Sequence, residues 1–278
     1  MRGSDHVAII ATLIGTALLV VAWWAGPRLA ADNRRFTITA ASCLVVIIGW
    51  FAVYDLTYAA LQVIPWHDAL FFERIPLYVA IILLLSTSVR RLASRHARTG
   101  VAAIMTLFFL YAVAEIAVPI ALPLFADQLS ERTEGPAEVT QSTGWSCGGA
   151  ALAWAARLHG IAASERQMVR LAVTTPLRGT STRGMLRALD RIGLDARPVK
   201  PASWDELVAA PKPALIGWKL SATVAHAALV LEIDGDGDRV NVGDPLQGRM
   251  TYSREEFTDR WLRDMIVIES PQGTAAPR

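Results

Sequence analysis

The sequence predicts two materials in one chain: an all-α transmembrane bundle, then an α+β domain with its own core. Three observations predict this. Apolar runs long enough to cross a bilayer are confined to the first half. Charge is concentrated in the second: of 25 acidic residues, six lie up to Leu124 and nineteen come after it. The apolar period also changes within the second half, from helical spacing to strand-like runs. The net charge of +2 therefore averages a mildly basic first part and a nearly neutral second. Neither carries the basic footprint of a nucleic-acid binder.

A span needs about 20 apolar residues. Four runs qualify, over residues 7–25, 36–62, 73–89 and 101–124. The first is too long for a signal-peptide core and has no convincing small-residue cleavage motif after it, so it reads as a retained span. The second is interrupted by Asp55, placed near an interface. The third is the shortest and draws in the aromatic turn Phe71-Phe72. The fourth contains Glu115. A carboxyl inside a span faces the bundle interior or a partner. Two readings of Glu115 stay open, a functional one and one in which pairing with a neighbouring span fixes packing. Trp23, Trp24, Trp50 and Trp66 fall near span ends and read as an aromatic belt.

Short-loop arginines set orientation. Arg28, Arg34 and Arg35 lie between spans one and two; Arg90, Arg91, Arg95 and Arg98 lie between three and four. Both loops favour the cytoplasm. With four spans both termini face outward, and the C-terminal domain is extracytoplasmic.

Residues 126–140 are polar, with Gly135 and Pro136, and read as a linker leaving the membrane. At most about 3.5 Å per residue, it holds the C-terminal domain within tens of ångströms of the bilayer. That domain occupies 141–269. Its first helix begins near Cys147 and runs to Leu158 through small and apolar residues. Ser164, as a cap, opens a second helix ending near Val173. Gly179 to Ser181 is a turn. A third helix covers 182–192 and ends at Gly193, and a short one covers 203–209 before Pro211. Strands come next, over 214–220, 226–233, 239–242 and 265–268, with a tight turn from Asp234 to Asp238. That Asp-Gly-Asp-Gly-Asp run resembles a calcium loop, but its twelfth position is Pro245 where a bidentate glutamate belongs, so the hairpin turn is preferred. Residues 270–278 read as a disordered tail.

Four residues of the domain fit one mechanism. Cys147 is its sole cysteine, placed where a helix dipole and unpaired N–H groups favour thiolate. His226, on a strand, can pair with that thiolate and later protonate a leaving amine. Asp244, after the next strand, can orient the imidazole. Gln141, six residues before the cysteine, can supply an oxyanion-hole donor beside the Cys147 N–H. His159 competes as the imidazole, but lies ~18 Å down the same helix. One cysteine and two distant histidines do not make a zinc site, so neither metal nor cofactor is expected.

The segment Gln141-Ser-Thr-Gly-Trp-Ser-Cys147-Gly-Gly-Ala-Ala-Leu resembles the catalytic segment of the C39 peptidases, papain-like domains that remove double-glycine leaders from bacteriocin-type precursors. Leu177-Arg-Gly-Thr-Ser-Thr-Arg-Gly-Met resembles their Gly-Thr turn, His226-Ala-Ala-Leu-Val-Leu their histidine strand, and Gly243-Asp-Pro245 with Gly248 their acid motif. The resemblance implies an α+β papain-like cysteine peptidase fold, with Cys147 as nucleophile, His226 and Asp244 as its partners, and Gln141 in the oxyanion hole. Ser146 stands where members often carry an acid. Members commonly precede transporter spans and an ATPase; here the spans come first, and there is no Walker A motif. The resulting expectation is a multi-pass protein of a bacterial inner membrane that cleaves an exported or membrane-associated peptide or protein near the lipid bilayer. The alternative is a catalytically idle, peptidase-like binding module tethered at the membrane. A weaker third reading makes the spans a small transporter, with Glu115 as its support.

Overall fold

Among the described residues, the apolar first half forms four helices long and apolar enough to cross a membrane: α1 (Arg2–Leu29), α2 (Asn33–Phe51), α3 (Ile75–Val89) with a 3₁₀ turn (His67–Phe71) ahead of it, and α4 (Arg95–Ala126). The structure is a computed structural model that describes residues 2–52, 58, 61, 66–130, 135–221 and 224–269. Asp55, the end of the expected second span, residues 131–134 and the tail 270–278 lie outside those residues. The chain divides into two compact units, one of residues 1–60 and 68–121, the other of 61–67 and 122–278.

In the first unit α3 is the most buried helix and packs against α1 and α2. Small residues set the approach, as in membrane helix pairs. A Cβ at Gly26 of α1 would fall within 1.7 Å of Ser86 Oγ on α3. Glu115 is buried and accepts a hydrogen bond from the Tyr78 hydroxyl of α3, a pairing between neighbouring helices. Trp23 and Trp50 pack into the bundle core instead of facing out; Trp50 Nε1 donates to the Glu73 carbonyl at 2.9 Å. Trp24 and Trp66 are exposed.

The second unit holds α5 (Cys147–Leu158), α6 (Glu165–Ala172), α7 (Thr182–Arg191), β1 (Asp195–Val199), α8 (Trp204–Ala209), β2 (Ala214–Lys219), β3 (Ala225–Ile233), β4 (Arg239–Asp244), β5 (Gly248–Ser253), α9 (Arg254–Arg260) and β6 (Trp261–Glu269). The strand pairs are antiparallel, in the order β1-β6-β2-β3-β4-β5. Period-2 alternation sends Leu215, Ala227, Leu229 and Ile266 toward the core shared with α5, α6 and α7. Ile216, Trp218, Ala228, Val230 and Met265 go to a second core with Leu207 of α8 and Phe257 of α9. The central strands are apolar along their length because both faces are covered.

Serine caps set four helix starts: Ser164, Ser181, Ser203 and Ser253 each accept the backbone N–H three residues on. Each contributes about 1 kcal/mol. Gly193, at φ +80°, closes α7 as expected. The edge strands β1 and β5, and α9, add to the elements that the apolar pattern predicts.

Residues 126–130 and 135–140 are not a free linker. Leu122, Ala126 and Leu129 are buried with Val169 of α6. The Arg166 guanidinium donates to the carbonyls of Asp127 at 3.3 Å and Leu129 at 2.9 Å, and Arg170 pairs with Asp127. Val139 is fully buried in the α5 core.

Candidate active site

Cys147 is the first residue of α5. Ser146, at the cap position, makes no side-chain bond to the helix. Its hydroxyl instead closes the preceding turn: it accepts the Thr143 N–H at 3.2 Å and the Thr143 hydroxyl at 2.8 Å. The N–H groups of the first turn have no helical carbonyl to satisfy them, and that of Gly148 bonds to the thiol. Two glycines then let other elements close on α5. A Cβ at Gly148 would lie 2.3 Å from Thr180 Oγ1, and one at Gly149 2.4 Å from Val169 Cγ2 of α6. Thr180 is held in turn by the fully buried Thr174, hydroxyl to hydroxyl at 2.7 Å.

His226 enters from the start of β3, opposite Trp218 of β2, and is 5% exposed. Asp244 ends β4, the strand paired to β3 through the Asp234–Asp238 turn, and is 1% exposed. His226 Nε2 lies 2.7 Å from Asp244 Oδ1. The same oxygen accepts the Leu246 N–H at 2.7 Å, and the Asp244 carbonyl accepts the Gln247 N–H at 3.2 Å. With Nε2 so engaged, Nδ1 is the ring nitrogen left for Cys147, which is hydrogen-bonded to His226.

The electrostatics come from this contact. Burial alone would raise the Cys147 thiol. The His226 hydrogen bond and charge, with backbone groups of Ala227 and Gly148, outweigh it and bring the thiol below its ordinary value. Burial would lower His226, but hydrogen bonds to Asp244 and Cys147 and the charges of both push it up to about 9. Burial would raise Asp244, but His226 and the N–H groups of Leu246 and Gln247 hold it below the usual carboxylate range. The three directions agree: each group's shift favours its charged form, thiolate, imidazolium and carboxylate.

Gln141 is tied to the same region at two points. Its backbone N–H donates to the Pro245 carbonyl at 2.8 Å, one residue past Asp244. Its side-chain nitrogen donates to the Thr143 carbonyl at 2.9 Å, on the turn leading to Cys147. One amide N–H is thereby occupied and a second remains. Glu138 braces the acid turn, 3.5 Å from Arg249 of β5.

The structure therefore brings Cys147, His226 and Asp244 into one chain of contacts, with Gln141 fastened to both of its ends. It keeps His159 away, at the far end of α5, where burial lowers its pKa. Glu115 belongs to the other unit. Sequence reasoning missed Thr180, Glu138 and Glu165 around the site. Of these only Thr180 had a signal, the Gly-Thr turn before α7.

Residues 137–273 match the Peptidase C39 family. An uncharacterized protein of Methanothermobacter thermautotrophicus is 34% identical over 133 residues, 48% of this chain and 88% of the relative. One from Methanothermobacter marburgensis is 33% identical over 132 residues, 47% of this chain and 87% of its own. Among solved structures, the peptidase domain of Streptococcus ComA, a bi-functional ABC transporter involved in a quorum-sensing pathway, is 23% identical. It covers 48% of this chain and 96% of its own, with a TM-score of 0.43. A double glycine motif protease from an AMS/PCAT transporter, in complex with the leader peptide, is 20% identical over 52% of this chain and 100% of its own, also with a TM-score of 0.43.

Proposed function

The chain belongs to the peptidase C39 family, and from that membership we propose that it is a membrane-anchored cysteine peptidase cleaving an exported or membrane-associated peptide or protein. The observation that carries the reading is the Cys147–His226–Asp244 chain, with a buried 2.7 Å histidine–carboxylate bond at its end.

In the proposed reaction the Cys147 thiolate attacks the scissile carbonyl carbon. The carbonyl electron pair moves onto oxygen, stabilised by the Cys147 backbone N–H and the free Gln141 amide N–H. Collapse expels the amine, which takes its proton from the His226 imidazolium, leaving a thioester on Cys147. A water molecule, giving its proton to the now neutral imidazole, attacks the thioester and frees the acid. Asp244 keeps the ring oriented and favours the imidazolium throughout.

The four apolar helices support membrane anchoring. The seven arginines clustered where α1 meets α2 and α3 meets α4, at the helix ends and in the turns between them, support an orientation with those ends in the cytoplasm of a bacterial cell and the peptidase domain outside. The test compares exported and membrane peptides from cells carrying wild-type protein and Cys147→Ala, reading new N-termini. New termini confined to wild type support the proposal; identical populations contradict it. Protease added outside spheroplasts should digest the domain and spare the Arg90–Arg98 loop. A domain protected until lysis would invert the topology.

A further inference from the structure

Glu165 is a carboxyl residue with no exposed surface, at the first position of α6. Burying a carboxyl is costly, and one that makes no ion pair among the described residues calls for a reason. It has two notable neighbours. Its Oε1 accepts the Ser142 backbone N–H at 2.9 Å, the residue directly after Gln141. Its backbone carbonyl lies 3.4 Å from where a Cβ would stand on Gly149, in the first turn of the helix that carries Cys147. One residue thus touches both the segment bearing the oxyanion-hole amide and the helix bearing the thiol.

The segment has few other holds. Among the described residues, the hydrogen bonds that fix Gln141 and Ser142 are Gln141 N–H to Pro245, Gln141 Nε2 to Thr143, and Ser142 N–H to Glu165. The first ties the segment to the acid turn, the second is local, and the third ties it to α6. Among the described residues, Gln141 Oε1, Ser142 Oγ and Glu165 Oε2 are buried without a hydrogen-bond partner.

We propose that Glu165 is a positioning residue for the oxyanion hole: its carboxyl, reaching from the start of α6, holds the Ser142 N–H and so sets the place of Gln141 relative to Cys147. The inference rests on the peptidase reading above. Glu165 touches no reacting atom in this scheme. It acts through Gln141 and leaves the Cys147–His226 pair alone.

Two chemical probes separate these effects. Iodoacetamide alkylation reads the thiolate and forms no oxyanion. Acylation by p-nitrophenyl acetate reads the thiolate and the oxyanion hole together. Both are measured on full-length protein in detergent, with Cys147→Ala subtracting the contribution of Cys43. Glu165→Ala should slow acylation about tenfold or more, the scale expected when a catalytic donor is misplaced by a fraction of an ångström to an ångström. Its alkylation rate and pH profile should match wild type. Glu165→Gln keeps an acceptor at the same reach and should stay within about threefold of wild type. Glu165→Asp keeps the carboxyl but is one methylene short, and should fall with Glu165→Ala even if the latter folds poorly. Gln141→Ala combined with Glu165→Ala should acylate no more slowly than Gln141→Ala alone. Equal loss of acylation and alkylation, loss of neither, or Glu165→Gln as slow as Glu165→Asp would overturn the inference. A wild-type protein with no Cys147-dependent acylation would overturn the peptidase reading itself, and this inference with it.

Discussion

Replacing Asp244 by Asn tests the electrostatics of the site with little change of shape. Asp244 Oδ1 accepts from both His226 Nε2 and the Leu246 N–H, each at 2.7 Å. An asparagine oxygen can occupy the same place and accept both bonds, so the substitution removes the charge and keeps the geometry. The carboxylate is the first of the groups that raise His226 to about 9 against the opposing effect of burial. Loss of an opposite charge in contact typically moves a pKa by about 1–3 units. The imidazolium is then less stable, so its deprotonation shifts toward lower pH. Cys147, lowered against burial by its bond to His226 and by that ring's charge, shifts toward higher pH. The assay is the iodoacetamide alkylation rate of Cys147 against pH. Wild type should show a lower inflection at the thiol, below its ordinary value, and an upper one near 9. In Asp244→Asn the two should approach each other by at least about one unit in sum. Turnover should fall by less than the ~10⁴-fold known for the equivalent change in a serine protease, because the charge pair already exists before substrate binds. An Asp244→Asn profile that superimposes on wild type would refute the reasoning.

Other substitutions probe separate links. Gln141→Ala should lower kcat about 100-fold with KM nearly unchanged, since the donor acts on charge present only in the transition state; a change confined to KM would remove Gln141 from that role. Gly148→Ala places a methyl 2.3 Å from Thr180 Oγ1 and 2.5 Å from its Cβ, so denaturation should show a loss of about 1–3 kcal/mol. Leu129→Ala, at 3% exposure beside Val169, should cost about 2–4 kcal/mol in unfolding of the sheet domain. A neutral result there would return residues 126–130 to the status of a linker.

Much of the fold was legible because it obeys local rules. Apolar runs of spanning length indicated the four helices; Ser164 as a cap indicated α6, the Gly179–Ser181 turn and Gly193 bounded α7, and Pro211 closed α8. The β3–β4 hairpin was legible from the Asp234–Asp238 turn, and with it the meeting of His226 and Asp244 across 18 residues of sequence. What escaped lies at edges and in burial. β1 carries Pro198, tolerated because an edge strand has unpaired positions, and its alternation, Asp195-Ala196-Arg197, is too short to mark a strand. β5 is largely exposed, so no apolar stripe betrays it. The start of α9 was written in Ser253 and Glu256, a reciprocal capping box, but a helix of seven residues with one buried side chain has no visible period. Glu165 was hidden for another reason. An acid in the first turn of a helix suits the helix dipole in solvent, and nothing local distinguishes that ordinary case from a carboxyl buried against Ser142. Nor could the sequence indicate that residues 126–130 pack on α6, since the polar composition of 126–140 reads as a tether.

A covalent intermediate at Cys147 is the most direct test of the peptidase reading. Membranes containing the protein, mixed with the peptide pool released from Cys147→Ala cells and quenched in acid within the first turnovers, can be digested and the Cys147 peptide weighed. The expected result is a thioester adduct on Cys147, removed by hydroxylamine and absent from Cys43. An unmodified Cys147 in a preparation that nonetheless generates the new N-termini would contradict it.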